Sequence, residues 1–378
     1  MKNSILSLLI LTALCSCGGQ KENAVGFPEW EPGCLDIHHI ATGRGNCTLI
    51  IMPDGTTMVV DAGDLGDSTQ FSQKILPAMP SSELRPAEWQ ARYIRNVTAP
   101  VGRNGQIDYL LFTHFDEDHL GIPYDDAPVR NGYCLTGVTH LGNLLAIDKI
   151  VDRGYPRYDF PYPGVLDSTR KDLFDNYKLF LGEKSMDGLA VEGFQVGSIS
   201  QFRELYSPHT EFRIINVYAS GNIFKGGRVM PVDAPAETFD ENNCSCTIVV
   251  EYGRFRYHIS GDICGVVEEA VGEAEGHVTG MLANHHSYSG GMSREYLAAT
   301  SPEVVTIPSW DFYHPQPEQL RNMLDAGCKV YSTGMVDTNL ERLGEDGARM
   351  SGHGHILVRA DASGSYSVYV GDPFRVLP

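Results

Sequence analysis

Nine residues constrain this chain more than any others: Thr113-His114-Phe115-Asp116-Glu117-Asp118-His119-Leu120-Gly121. They follow an apolar run, Ile107-Asp108-Tyr109-Leu110-Leu111-Phe112, bounded upstream by Gly105, which has the length and composition of a buried strand. Two histidines and two aspartates thus crowd together where a core strand runs out into a loop. Neutral imidazoles and carboxylates are the ligands of zinc and similar divalent ions, and a strand end is a rigid place to mount them. The competing reading is a polar turn in which Asp116 and Asp118 cap a helix. What decides between them is whether distant parts of the chain supply more ligands.

Three other strand ends do. Thr57-Met58-Val59-Val60 ends in Asp61-Ala62-Gly63, a hairpin built from 246–252 and 255–260 runs into Gly261-Asp262, and the strand at 279–283 runs into Asn284-His285-His286-Ser287. Strands of one sheet end along a common rim, so groups far apart in sequence can converge there. A two-metal site needs about six protein ligands with one carboxylate bridging, and these segments supply that number.

The rest of the chain supplies a fold to carry them. Strands are expected at 35–40, 47–52 and 57–60, the first two joined by the glycine-rich turn Ala41-Thr42-Gly43-Arg44-Gly45-Asn46, with a helix at 86–97. After residue 240 strand and helix alternate, with helices at 266–274, 293–299 and 317–326, strands at 304–307 and 329–332, and a closing hairpin over 355–370. The segment 122–240 carries weaker signals: helices at 141–147 and 168–181, a strand at 213–219 and an aromatic, proline-rich loop over 154–164. It reads as a large insertion over the strand ends, where specificity usually sits. An α/β fold follows, an αββα sandwich of two mixed sheets face to face with helices outside, forming a single domain over 31–378.

With 42% hydrophobic and 20% charged residues, the 378-residue chain is ordinary for a globular protein. Its formal net charge of −19 repels polyanions, and no Lys/Arg cluster offers a local grip, which weighs against a nucleic-acid partner. The first residues form a targeting segment. A short basic start precedes an apolar stretch at 5–14 that is too short for a stable membrane span, ending in Leu14-Cys15-Ser16-Cys17-Gly18-Gly19. This resembles a bacterial lipoprotein lipobox, which implies a signal peptide over 1–17, lipid on Cys17, a polar tether over 18–30 and a place in the cell envelope, anchored to the outer membrane and facing the periplasm or the surface. The other seven cysteines show no CxxC pair and read as small buried hydrophobes.

His114-x-Asp116-x-Asp118-His119 resembles the His-x-His-x-Asp-His signature of the metallo-β-lactamase fold. Asp116 stands in place of the second histidine, as in the nuclease-like domain of the DNA-uptake competence channel. Leu35-Asp36-Ile37-His38-His39-Ile40 with Gly43-Arg44-Gly45-Asn46 is similar to that group's opening strand and turn, and Asp61-Ala62-Gly63 to its first aspartate motif. Glu241-Asn242-Asn243-Cys244-Ser245-Cys246 resembles its Asn-x-Ser segment, Gly261-Asp262 its bridging aspartate, His285-His286-Ser287 its His-His-Gly-Ser, and Phe312-Tyr313-His314-Pro315 a late Tyr-x-His-Pro element. Departures are Ser287-Tyr288 for Gly-Ser and Gly121-Ile122 for Gly-Gly. The histidine of the third lactamase motif is missing, which weighs against antibiotic hydrolysis.

The resemblance implies two divalent metal ions, zinc ahead of manganese. His114 and Asp116 would bind one, Asp118 and His119 the other. Asp262 would bridge them, and His285 would complete the second, with His286 as the alternative. Asp61 would orient ligands and the attacking water, and His314 would contact substrate or protonate the leaving group. The expected activity is metal-dependent hydrolysis by a hydroxide bridging the two ions, first of a phosphodiester in a small or glycan-linked substrate. The alternatives are a lactone or acyl-ester hydrolase, or a binding lipoprotein without chemistry. Outside the motifs, His38, His39, His140, His209, His258, His353 and His355 read as packing or surface histidines, and the aromatic loop from Tyr155 to Tyr162 as packing rather than pocket lining.

Overall fold

The structure, a computed structural model, describes residues 22–66, 75–375 and 377. The signal peptide, Cys17 and the start of the tether lie outside the described residues. Among the described residues one sheet has eight strands, in the order Tyr366–Gly371, His355–Ala360, Leu35–His39, Thr48–Ile51, Thr57–Val60, Ile107–Leu111, Ile147–Asp152, Ala190–Gly193. The other has nine, in the order Arg228–Pro231, Asn222–Lys225, Phe212–Ala219, Thr247–Tyr252, Phe255–Ser260, Gly280–Leu282, Val304–Ile307, Lys329–Ser332, Gly352–His353.

Both sheets are built to one plan. Pairing is antiparallel from one edge inward and then turns parallel, at Thr57–Val60 with Ile107–Leu111 in the first sheet and at Phe255–Ser260 with Gly280–Leu282 in the second. Parallel neighbours end on the same edge of their sheet, and such switch points are where α/β proteins place ligands. The loops leaving these four strands begin with Asp61, the His114 stretch, Asp262 and the His285-His286 pair. Connectivity alone therefore gathers the polar residues.

Alternation along each strand makes the layers. Ile50, Met58, Val60, Tyr109 and Leu111 point inward and meet Ile214, Ile248, Val250, Tyr257 and Ile259 of the second sheet. Their neighbours Leu49, Ile51, Val59 and Leu110 point outward beneath Ile94, Val138, Leu141, Phe174 and Tyr177 of the helices Pro86–Val97, Gly137–Leu144 and Lys171–Met186. The outer face of the second sheet is covered by Gly265–Glu275 on one side and by Arg294–Thr300, Pro317–Asp325 and Asp337–Ala348 on the other. This is the expected αββα sandwich. Among the described residues no helix is long and apolar enough to cross a membrane.

Segment 122–240 does more than decorate. It adds Ile147–Asp152 and Ala190–Gly193 to the first sheet, and Phe212–Ala219, Asn222–Lys225 and Arg228–Pro231 to the second. The helix expected at 141–147 lies instead at Gly137–Leu144, and Ile147 opens a strand. What overhangs the strand ends is narrower, chiefly the helices Val165–Thr169 and Lys171–Met186. In the aromatic loop, Tyr158 packs edge-on against Phe115 and Phe174 and donates its hydroxyl to Asp152 (2.8 Å). The cysteines Cys34, Cys47, Cys134, Cys244, Cys246, Cys264 and Cys328 are free thiols.

Candidate metal centre

The strand Ile107–Leu111, buried along its whole length, delivers Thr113 and His114 to the rim. Asp116 then caps the one-turn helix Glu117–Leu120, its Oδ1 accepting from the Glu117 N–H (2.9 Å), and that turn sets Asp118 and His119 side by side. Asp116 thus takes the capping role that the motif alone left open. The turn is clamped from below. The Asp118 carbonyl accepts from the Asn46 N–H (2.8 Å), and a Cβ on Gly63 would fall 1.9 Å from that same oxygen. Only glycine lets the backbone of the Asp61 motif approach this closely. From the second sheet, Asp262 donates its backbone N–H to the Ser245 hydroxyl oxygen (3.0 Å), which gives the Asn-x-Ser segment its purpose. A Cβ on Gly261 would meet Thr113 Oγ1 at 2.4 Å, so glycine is needed where the two sheets touch.

His285, His286 and Ser287 follow one another at φ 48°, 51° and 58°. Left-handed backbone at three residues with side chains costs on the order of 1–3 kcal/mol each. The surroundings hold it: Asn284 is gripped by Glu268 (2.9 Å) and His258 (2.9 Å), and His286 Nδ1 bonds the Pro308 carbonyl (2.7 Å).

Asp118, His119, Asp262 and His286 form one buried group whose ligand atoms all lie within 4.8 Å of one another. Nδ1 of His119 donates to Asp61 (2.7 Å) and Nδ1 of His286 to Pro308. In their neutral forms both rings therefore turn a bare Nε2 lone pair inward. These Nε2 atoms are 3.1 Å apart. That of His119 lies 3.6 Å from Asp118 Oδ2 and 3.2 Å from Asp262 Oδ1, and that of His286 lies 2.9 and 3.4 Å from the same oxygens. Four acceptors this close repel one another unless positive charge sits among them, and this mixed nitrogen and oxygen set suits a divalent cation. Of the two adjacent imidazoles, the fold puts His286 in this group. His285, placed first from the sequence, faces the other oxygen of Asp262 at 3.8 Å, where His114 Nε2 also points at 4.0 Å with no hydrogen-bond partner. Asp262 thus presents one oxygen to each of two sets of imidazoles.

Without an ion, the two imidazoles carry the positive charge themselves. Burial pulls down the basicity of His119 and His286, but the Asp262 and Asp118 carboxylates outweigh it, holding His119 well above the usual range and His286 at about 10. Burial opposes ionisation of Asp262, yet His286 and His119 hold its pKa well below normal. His114 and His314 go the other way, kept neutral by burial and by the neighbouring His119 and His286 respectively. Burial and the Asp118 charge raise Asp116 to about 6 and Glu117 to about 7.

The remaining expected residues divide. Asp61 is fully buried beneath the centre, bonded to His119, Asn46 (2.9 Å) and the Thr113 N–H (2.8 Å), and acts on ring orientation rather than on anything in the cavity. His314 stacks on His286 with ring centroids 4.7 Å apart. Asp116 is paired with Arg170 (3.2 Å) rather than with His114. His140, in helix Gly137–Leu144, lines no part of the cavity above the centre. That cavity holds about 660 Å³, floored by Asp118, Asp262, His285 and His286 and walled by Arg170, Tyr288 and Tyr313. Two contributors were not foreseen. Trp310 donates its indole N–H to Asp118 Oδ2 (2.9 Å), and Pro308 orients His286. Both lie just before the Tyr-x-His-Pro element, which is the one hint the sequence offers.

No family model matches the chain, and no curated protein matches it. Among solved structures it is similar to a protein assigned as a metal-dependent hydrolase from Parabacteroides distasonis ATCC 8503, at 11% identity and TM-score 0.38 over 80% of this chain and 94% of that one. It is also similar to the short form of human tRNase Z, at 11% identity and TM-score 0.34 over 80% and 93%. A third is Tm1679, a metal-dependent hydrolase of the β-lactamase superfamily, at 10% identity and TM-score 0.32 over 89% of this chain and 100% of that one. These likenesses are distant.

Proposed function

We propose that the protein is a metal-dependent hydrolase of a phosphodiester in a small substrate. The observation that carries this is the arrangement around Asp262, whose two oxygens face separate sets of imidazoles, one of them buried and completed by Asp118. Asp118, His119, His286 and Asp262 Oδ1 would hold one ion, and His114, His285 and Asp262 Oδ2 the other. Asp116 would join the second only by giving up Arg170. Divalent ions at such a site supply Lewis acidity toward a phosphoryl or acyl oxygen and a nucleophile at neutral pH.

The chain's own residues do the rest. Asp61 and the Pro308 carbonyl fix the two ring orientations, and Trp310 holds the Asp118 carboxylate. His314 stays neutral at pH 7, so it meets substrate as a hydrogen-bonding ring and has no surplus proton to give. A cavity of about 660 Å³ suits a nucleotide-sized or sugar-linked ester. The −19 net charge weighs against a long polyanion.

Elemental analysis of purified protein tests the reading, with zinc and manganese as the expected metals. Two ions per chain, lost in the double variant His114→Ala/Asp262→Ala, together with turnover of bis(p-nitrophenyl) phosphate, support it. Turnover of lactones alone favours an acyl-ester hydrolase, and no metal after reconstitution leaves a binding protein. We also propose that lipid on Cys17 anchors the chain in the envelope. Cys17→Ala should then move it from the detergent phase to the aqueous phase, and unchanged partitioning would end that idea.

A further inference from the structure

The cavity wall facing substrate includes a cation that no part of the centre requires. Arg170 stands at the start of helix Lys171–Met186, in the segment that overhangs the strand ends, and lines the cavity beside Asp116 and Asp118. One guanidinium nitrogen, Nη2, pairs with Asp116 Oδ2 at 3.2 Å, and Nη1 donates to the Thr169 carbonyl at 3.3 Å. Its Nε–H is buried and has no partner. The neighbouring Lys171, which also lines the cavity, is occupied by Asp175 one helical turn on. Arg170 is therefore held in place at one side of its planar fork while keeping a donor unused.

A guanidinium stays charged throughout the working pH range and matches the paired oxygens of a phosphoryl or carboxylate group. The side chain is 36% exposed on the cavity wall, so the Nη hydrogens not given to Asp116 and Thr169 remain open to an accepting oxygen. We propose that Arg170 is a substrate-binding residue: with Asp116 holding it, its guanidinium takes an anionic oxygen of the group presented to the centre, making an anionic ester the preferred substrate over a neutral one. This rests on the hydrolase reading above, and it names the residue that selects among esters. Asp116 then has a purpose other than metal binding, since it keeps the arginine over the cavity.

The test uses zinc-loaded protein and its Arg170→Ala, Arg170→Gln and Arg170→Lys variants, with metal content and circular dichroism measured for each. Steady-state constants are taken on bis(p-nitrophenyl) phosphate, which is anionic, and on p-nitrophenyl acetate, which is neutral. Binding of inorganic phosphate is followed by calorimetry. Compared at equal metal content, loss of one charge-assisted hydrogen bond should raise KM for the diester and the dissociation constant for phosphate by about 10- to 100-fold relative to any change on acetate. Lysine should restore part of the loss. Equal phosphate affinity in wild type and Arg170→Gln, or equal losses on acetate and diester, would overturn the proposal. If the wild type binds phosphate through Arg170 yet cleaves no diester, the hydrolase reading fails and the anion site stands. Should Arg170→Ala not fold, the Gln and Lys variants decide.

Discussion

The two oxygens of Asp262 look onto unequal surroundings. Oδ1 faces His119 and His286, both buried, each with its Nδ1 bonded to an oxygen that fixes the ring, and with Asp118 alongside. Oδ2 faces His114 and His285 at longer range, 4.0 and 3.8 Å. Here His285 is partly exposed with its own Nδ1 unpartnered, and the carboxylate that could complete the set, Asp116, is spoken for by Arg170. One side is assembled before a ligand arrives, and the other must still be gathered. Preorganised ligands bind more tightly because their ordering cost is met during folding. If two ions bind as proposed, they should therefore bind in sequence, the Oδ1 side first.

The largest effect should come from the residue both sides share. Asp262→Asn weakens the charge facing both imidazole sets, so both ions should be lost and hydrolysis should fall to background, measured by elemental analysis and diester turnover. The single-side variants sharpen the contrast. His286→Ala should abolish the tighter ion, whereas His285→Ala should leave that ion in place and lower only the occupancy of the weaker one. A chelator titration that strips both ions in one step, with equal constants, would erase the distinction between the sides.

A smaller effect should follow from loosening the tight side without touching a ligand. Asp61→Asn leaves a side chain of the same shape but removes the charge that His119 Nδ1 donates to. Loss of such an orienting partner typically costs about 10- to 100-fold in metal affinity. The first binding constant should drop by that factor and the second should stay put. If both fell together, Asp61 would be supporting the fold of the whole rim rather than one ring.

What the sequence made legible was local. Strand-end position, the spacing of His114 to His119, and the glycines after Asp61 are short-range signals, and each sits where a strand meets the rim. The choice between His285 and His286 was not legible. It depends on consecutive left-handed residues and on the Pro308 carbonyl from a later loop. The pairing of Asp116 was hidden as well, because its partner Arg170 lies 54 residues on in a weakly patterned segment. The strand Ile147–Asp152 escaped because only Ile150, Val151 and Asp152 are buried, so its run of charges and aliphatics resembles neither strand nor helix. The helix Asp337–Ala348 escaped because Gly344 and Gly347 interrupt a mostly polar turn pattern.

The smallest expected effect concerns the scaffold under the tight side. Glu268 is fully buried and accepts from Asn284 Nδ2 (2.9 Å), the Met292 N–H (2.6 Å) and the Ser293 N–H (3.1 Å), so it fastens both ends of the turn that carries His285 and His286. Burial outweighs these donors and raises its pKa from 4.5 to about 7. Between those values the folded chain holds a proton that the unfolded chain has released. Stability from this group is therefore complete below about pH 4.5 and is lost as pH rises through about 7. In metal-free protein, denaturant midpoints for Glu268→Gln should fall less steeply over that interval than those of the wild type. The order of ion binding should be unaltered, because glutamine keeps the acceptor that holds Asn284. An unchanged slope would mean that Glu268 is ionised in the folded chain, its three donors outweighing burial, and that the turn is held by a fixed charge.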